Sequence, residues 1–151
     1  MDQKEYQKII TNAIDSEIEA YTFYKSVADK VKDNALKTIF TDMAAEEVKH
    51  REFLQTFMAK AGKSMHFDAA QDYRVTDSLP TPALKPEMKP LEGLVLSIKK
   101  ELEAMMMYNQ LANASTDKAQ KDLFLNLVSM ERSHKQRLED IYTNMAFPEV
   151  W

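Results

Sequence analysis

Two short stretches of this 151-residue chain place a glutamate three positions ahead of a histidine. AAEEVKH, residues 44–50, supplies Glu47 and His50, and VSMERSH, residues 128–134, supplies Glu131 and His134. On a helix, residues three apart lie on one face, one turn from each other. Each pair therefore aims a carboxylate and an imidazole the same way. One such pair alone is an ordinary surface contact. Two are a different matter, because the chain holds only three histidines and the pairs share one offset, 131 − 47 = 134 − 50 = 84.

The same offset matches other positions without a gap. Glu17 falls on Glu101, Ala20 on Ala104, Tyr24 on Tyr108 and Phe40 on Phe124; Ile14, Glu19, Asp33 and Leu54 meet Ile98, Glu103, Asp117 and Leu138. The chain reads as one unit written twice. A duplication accounts for matched core positions, but not for acids inside the core stripe. Glu47 lies in the run Leu36, Phe40, Met43, Glu47, His50, Leu54, Phe57, whose helical steps keep one face inward, and Glu17 sits between Ile10, Ala13 and Tyr24. Buried carboxylates without partners cost several kcal/mol each, so they need cations.

Four carboxylates carry about four negative charges, which two divalent ions neutralise. One Glu from each of two helices, plus Glu-x-x-His from each of the other two, is the bundle arrangement that holds di-iron or di-manganese sites. Glu17 and Glu101 are expected to serve mainly one metal each and Glu47 and Glu131 to bridge, with His50 and His134 capping one metal apiece. An oxygen and imidazole shell without thiolate suits iron or manganese, whereas zinc would bring no redox chemistry.

These residues need helices to hold them. Residues 4–31 carry Ile10, Ala13, Ile14, Ala20, Tyr24, Val27 and Val31 at helical spacing. Asp33 can cap a second helix running through Leu36, Phe40, Met43, Leu54 and Phe57 to a stop at Gly62. Residues 63–89 show no period and contain Pro80, Pro82 and Pro86, so they read as an extended crossover. Pro90 suits the first turn of a third helix with Leu94, Ile98, Ala104, Tyr108 and Leu111 on one face. Asp117 can cap a fourth, carrying Phe124, Leu127, Leu138 and Ile141. The expected fold is all-α: a four-helix bundle over residues 1–146, two helical hairpins joined by a crossover at about 62–89, then a tail at 147–151. Such a crossover either runs along the bundle or lets hairpins swap between two chains.

Composition narrows the classes. Two glycines and five prolines favour long helices over tight β-turns. A net charge of −4 gives no global electrostatic case for nucleic acid or anionic membrane. No apolar run approaches membrane-spanning length, and the acidic, amphipathic N-terminus lacks the order of a secretion signal. The absence of cysteine removes disulfides, thiolate metal sites and cysteine nucleophiles. A cytoplasmic protein is the expectation.

With these motifs in view, the sequence resembles the ferritin-like superfamily and, within it, the rubrerythrins. SEIEAYTFY (16–24) and KELEAMMMY (100–108) look like the odd-helix signature of Glu, Ala at +3 and Tyr at +7, and AEEVKH and MERSH look like the even-helix signatures. The resemblance spans all four helices. It implies a ferritin-like bundle with two iron ions that reduces hydrogen peroxide, or oxidises iron with oxygen or peroxide. It also implies that Tyr24 and Tyr108 hydrogen-bond carboxylate ligands across the site, orienting them. Two departures bear on activity. Typical rubrerythrins carry a C-terminal rubredoxin domain with a four-cysteine iron site; this sequence stops after the fourth helix and a short tail, so electrons are expected from an external electron-transfer protein. Many also have an extra Glu one turn after the helix-three ligand, where this chain has Ala104, and that puts the ligand-switching peroxidase cycle in doubt.

A peroxide-reducing di-iron oxidoreductase is the first reading, a ferroxidase the second and a non-catalytic metal-stabilised bundle the third; manganese catalase chemistry is open to the same ligands. A homodimer, with or without swapped hairpins, is the expected assembly. Met105, Met106 and Met107 read as core or dimer packing rather than a sulfur metal site, and His66 as a loop residue. Glu46, Glu19 and Glu103 lie off the inward stripe and read as solvated or helix-pairing charges.

Overall fold

In the computed structural model, residues 3–61, 84–85 and 87–144 are described. They form α1 (Gln3–Lys30), α2 (Asn34–Ala61), α3 (Pro90–Ala114) and α4 (Lys118–Thr143). The fold is an all-α four-helix bundle, as the periodicity requires. The stop at Gly62, the loop position of His66, most of the crossover and the 147–151 tail lie outside the described residues.

Both even helices begin at the aspartates expected to cap them. The Asp33 side chain accepts the Leu36 N–H at 2.9 Å, and Asp117 accepts the Gln120 N–H at 2.9 Å. These bonds satisfy donors that a helix start leaves without partners. Pro90 opens α3, where a missing N–H costs nothing. Each odd helix packs along its sequence neighbour, α1 on α2 and α3 on α4, whereas α1 and α3 approach at only a few positions. Space between those two helices becomes important at the site.

Two apolar clusters make up the core. One contains Ile10, Ile14, Leu54, Tyr108, Leu111, Phe124 and Leu127. The other contains Phe23, Tyr24, Val27, Phe40, Met43, Leu94 and Leu138. Met105 and Met107 pack partly buried against the first, while Met106 is exposed, in keeping with packing rather than ligation. Where α1 and α3 do meet, Phe23 lies against Gly93: a Cβ at that glycine would overlap the Phe23 ring. Glycine there is a matter of space, not of turn geometry. Among the described residues, no helix is long and apolar enough to cross a membrane.

Candidate metal centre

Six polar side chains interrupt the apolar core. Glu17, Glu47, His50, Glu101, Glu131 and His134 are all buried, none more than 4% exposed. Every helix contributes: Glu17 from α1, Glu47 and His50 from α2, Glu101 from α3, Glu131 and His134 from α4. They fall into two groups, Glu17–Glu47–His50–Glu131 and Glu47–Glu101–Glu131–His134, each offering ligand atoms within 4.8 Å of one another. Two ligand atoms on opposite sides of a first-row metal are about 4 Å apart, so these groups have the span that a metal demands. Glu47 and Glu131 belong to both.

The internal repeat survives in the geometry. His50 Nδ1 lies 2.9 Å from Glu131, 3.6 Å from Glu17 and 3.9 Å from Glu47. At the matched positions His134 Nδ1 lies 2.7 Å from Glu47, 3.5 Å from Glu101 and 3.7 Å from Glu131. The imidazoles stack with centroids 5.6 Å apart. Tyr24 donates to Glu101 at 2.6 Å and Tyr108 to Glu17 at 2.8 Å, each from the opposite hairpin. Those hydrogen bonds fix the carboxylates that the repeat pairs with each other.

Protein partners alone do not satisfy this cluster. Glu47 Oε1 and His134 Nδ1 approach to 2.7 Å, yet neither has a partner in hydrogen-bonding line, and Glu101 Oε2 has none either. Buried polar atoms are normally paired. Two neighbouring cations would pair them, and carboxylate oxygen with imidazole nitrogen is a donor set that iron and manganese accept. The residues present fit a di-metal site.

The protonation states carry the strain of four acids in one place. Burial raises Glu131 well above the usual carboxylate range, and the charges of Glu101 and Glu17 push it further. Burial acts on Glu101 in the same direction, but its close polar contacts with Glu131 and His134 outweigh it and hold that carboxyl below its ordinary value. One acid keeps the proton so that its neighbour can stay charged. Burial disfavours the His134 imidazolium, but Glu101 and Glu46 more than compensate, bringing it to about 9. Tyr24 and Tyr108 are raised well above the normal phenol value by burial and by the carboxylates they serve, so both remain donors.

A cavity of about 260 Å³ opens between α1 and α3 onto Glu17, Glu47, Glu101 and Glu131. Ile9, Ala13, Ala20, Leu84, Ala104 and Met107 give it a largely apolar wall. Ala20 and Ala104 leave room where longer side chains would fill the approach.

Of the three acids read as solvated or helix-pairing charges, Glu46 and Glu19 pair across helices and Glu103 lines the cavity. Glu46 pairs with His134 Nε2 and with Arg137 Nη2, the latter at 3.3 Å. Its hydrogen bond with His134 outweighs partial burial and lowers its carboxyl to about 2. Glu19 accepts the Leu84 N–H and pairs with Lys100 at 3.1 Å, tying the end of the crossover to α1 and α3. Glu103 lines the cavity, and burial raises its carboxyl against the pull of Lys100. At the 84-residue offset Glu46 and Arg137 fall on Met130 and Phe53, which cannot pair in that way, so repetition could not disclose this contact.

The rubrerythrin family model matches residues 8–142. Among curated protein sequences none matches. A hypothetical protein from Pyrococcus furiosus is 27% identical, with a TM-score of 0.75 over 96% of this chain and 92% of the other. A protein from Thermotoga maritima, described as ferritin-like and diiron-carboxylate, is 17% identical, with a TM-score of 0.69 over 91% of this chain and 93% of the other; that likeness establishes the fold.

Proposed function

The chain belongs to the rubrerythrin family, and on that premise we propose that it is a non-haem di-iron oxidoreductase that reduces hydrogen peroxide. The observation that carries this reading is the pair of overlapping ligand groups sharing Glu47 and Glu131. Glu17 and His50 would hold one metal, Glu101 and His134 the other, and Glu47 and Glu131 would bridge. When bound, two ferrous ions supply the two electrons that peroxide reduction consumes.

The chain's own residues do the rest. Tyr24 and Tyr108 hold Glu101 and Glu17 in place; each carboxylate then has one oxygen engaged and its orientation restricted. The apolar walls of the cavity limit water beside the cluster while admitting a molecule as small as peroxide. Two protons must reach the oxygens as the O–O bond breaks, and protons released from His134 and Glu131 on metal binding cannot serve repeatedly, so solvent at the cavity mouth is the source. Electrons come from a separate electron-transfer protein.

A second reading, ferroxidase activity, draws support from Ala104 and Ala20. Both line the cavity, and neither can offer the additional carboxylate of a ligand-switching cycle. Anaerobic loading with two Fe(II) per chain, followed by mixing with peroxide or with oxygen, separates the two. Rapid oxidation by peroxide and slow oxidation by oxygen is the expected result. Rapid oxygen consumption with repeated iron turnover would establish the ferroxidase instead, and no oxidation by either would leave a metal-stabilised bundle.

A further inference from the structure

The two histidines are alike on the side that faces the carboxylates and unlike on the other. Each turns Nδ1 toward three glutamates. A metal at Nδ1 requires the imidazole proton to sit on Nε2, and the partner of that N–H decides how firmly the tautomer and the ring are held. His134 Nε2 meets Glu46 Oε2, while the other oxygen of Glu46 pairs with Arg137. His50 Nε2 is buried and has no hydrogen-bond partner among the described residues.

The repeat explains the difference. Adding 84 to Glu46 gives Met130, and subtracting 84 from Arg137 gives Phe53. The acid and the guanidinium behind His134 thus correspond to a thioether and a phenyl ring. A methionine sulfur is only a weak acceptor and carries no charge to make the imidazole more basic.

Resting on the di-metal reading, we propose that Glu46 is a positioning residue that makes the two metal positions unequal, the one served by His134 binding its ion more tightly than the one served by His50. An acid that orients a ligating imidazole is worth about 10–100-fold in metal affinity. Arg137 keeps Glu46 on station without consuming the oxygen that faces His134. His50 must present the same Nδ1 with its opposite nitrogen unsupported.

Cobalt(II) titration of the metal-free protein, followed by visible absorption and by heat, tests the proposal without recourse to activity. The wild-type chain is expected to bind two ions in two steps about 10–100-fold apart. Glu46→Ala should weaken the tight step by that factor and leave the weak one in place, merging them, with Glu46→Gln restoring part of the difference. Met130→Glu should strengthen the weak step. Two equal steps in the wild type, or equal weakening of both by Glu46→Ala, would overturn the inference while leaving the di-metal reading intact. Fewer than two bound ions in the wild type would overturn both. Should Glu46→Ala fail to fold, Met130→Glu still decides: an unchanged weak step counts against the proposal.

Discussion

Two positions where α1 faces α3 are related by the internal repeat and have opposite shapes. Phe23 of α1 lies against Gly93 of α3, and the same offset turns this pair into Met107 of α3 and Ile9 of α1. At the first, a fully buried ring fills the space between the helices, and Leu84 from the crossover joins its cluster. At the second, Ile9 and Met107 line an open cavity instead. Between them, equivalent histidine–carboxylate distances agree within 0.2 Å. Positions that touch the candidate metals are matched, while positions that shape the approach to them are free to differ. One duplicated unit thereby holds a symmetric cluster with a one-sided approach.

The largest expected effect breaks the symmetric part. Glu47→Ala or Glu131→Ala removes a member of both ligand groups and should abolish binding of the second metal. Glu17→Ala or Glu101→Ala touches one group only and should weaken a single position. Metal content after exhaustive dialysis distinguishes the two. If either shared-residue variant keeps two tight metals, the bridging assignment is wrong.

Next come the asymmetric ends. Phe23→Ala empties a buried site and should cost about 3–5 kcal/mol. Gly93→Ala forces a methyl group into the Phe23 ring and should cost about 1–3 kcal/mol by overpacking. In the Phe23→Ala background that overlap is gone, so Gly93→Ala should cost almost nothing and can add helix propensity. Urea unfolding of the two single variants and the double at fixed metal content gives the coupling. Simple additivity would mean that Gly93 is not there to admit the ring.

A third experiment sets metal-free against metal-loaded protein. His134 is raised to about 9 in the fold, above the ordinary histidine value near 6.5. Its contribution is therefore fully present below about 6.5 and is lost as pH rises through about 9. The raised Glu131 acts with the same sign, because the unfolded chain gives up that proton first. Metal-free protein should thus lose stability on going from pH 6.5 to 9. Metal binding must expel the proton that His134 holds below about 9, so affinity should climb over the range in which stability falls. Melting curves of the metal-free chain and calorimetry in buffers of different ionisation heat measure the two slopes. Parallel slopes would remove His134 and Glu131 as the proton holders.

What was legible in the sequence is what repeats or is local. Asp33 and Asp117 announce helix starts by residue type, and the six candidate ligands stand out because acids interrupt an apolar stripe twice at one offset. Tyr24 and Tyr108 match at the same offset, while their role beside the carboxylates is what the resemblance to the rubrerythrins implies. Glu46, Gly93 and the Glu19–Leu84 tie did not stand out. Glu46 sits one position from Glu47, and only the packing of α4 on α2 shows that its carboxylate reaches His134. Gly93 acquires its meaning from a ring 70 residues away (93 − 23). Contacts without a counterpart in the other half carry no period and no repeat, so pattern reasoning has nothing to register.

The smallest effect gives the plainest test of how far the repeat reaches. Asp33 and Asp117 correspond under the offset and accept N–H bonds of the same length, 2.9 Å, from Leu36 and Gln120. Neither touches the cavity or the acid cluster. Replacing a helix-capping aspartate by alanine costs about 1 kcal/mol. Asp33→Ala and Asp117→Ala should therefore lower the melting temperature by similar amounts, and neither should change metal content. The surroundings differ slightly, since the Gln120 side chain also donates to Ser115 at 2.8 Å beside the second cap. That bond helps hold the turn between α3 and α4 when the aspartate is lost, so any inequality should leave Asp33→Ala the more damaging. A larger loss at Asp117 would mean that the α3–α4 turn relies on its cap alone, and the equivalence of the two hairpins would then stop at the candidate ligands.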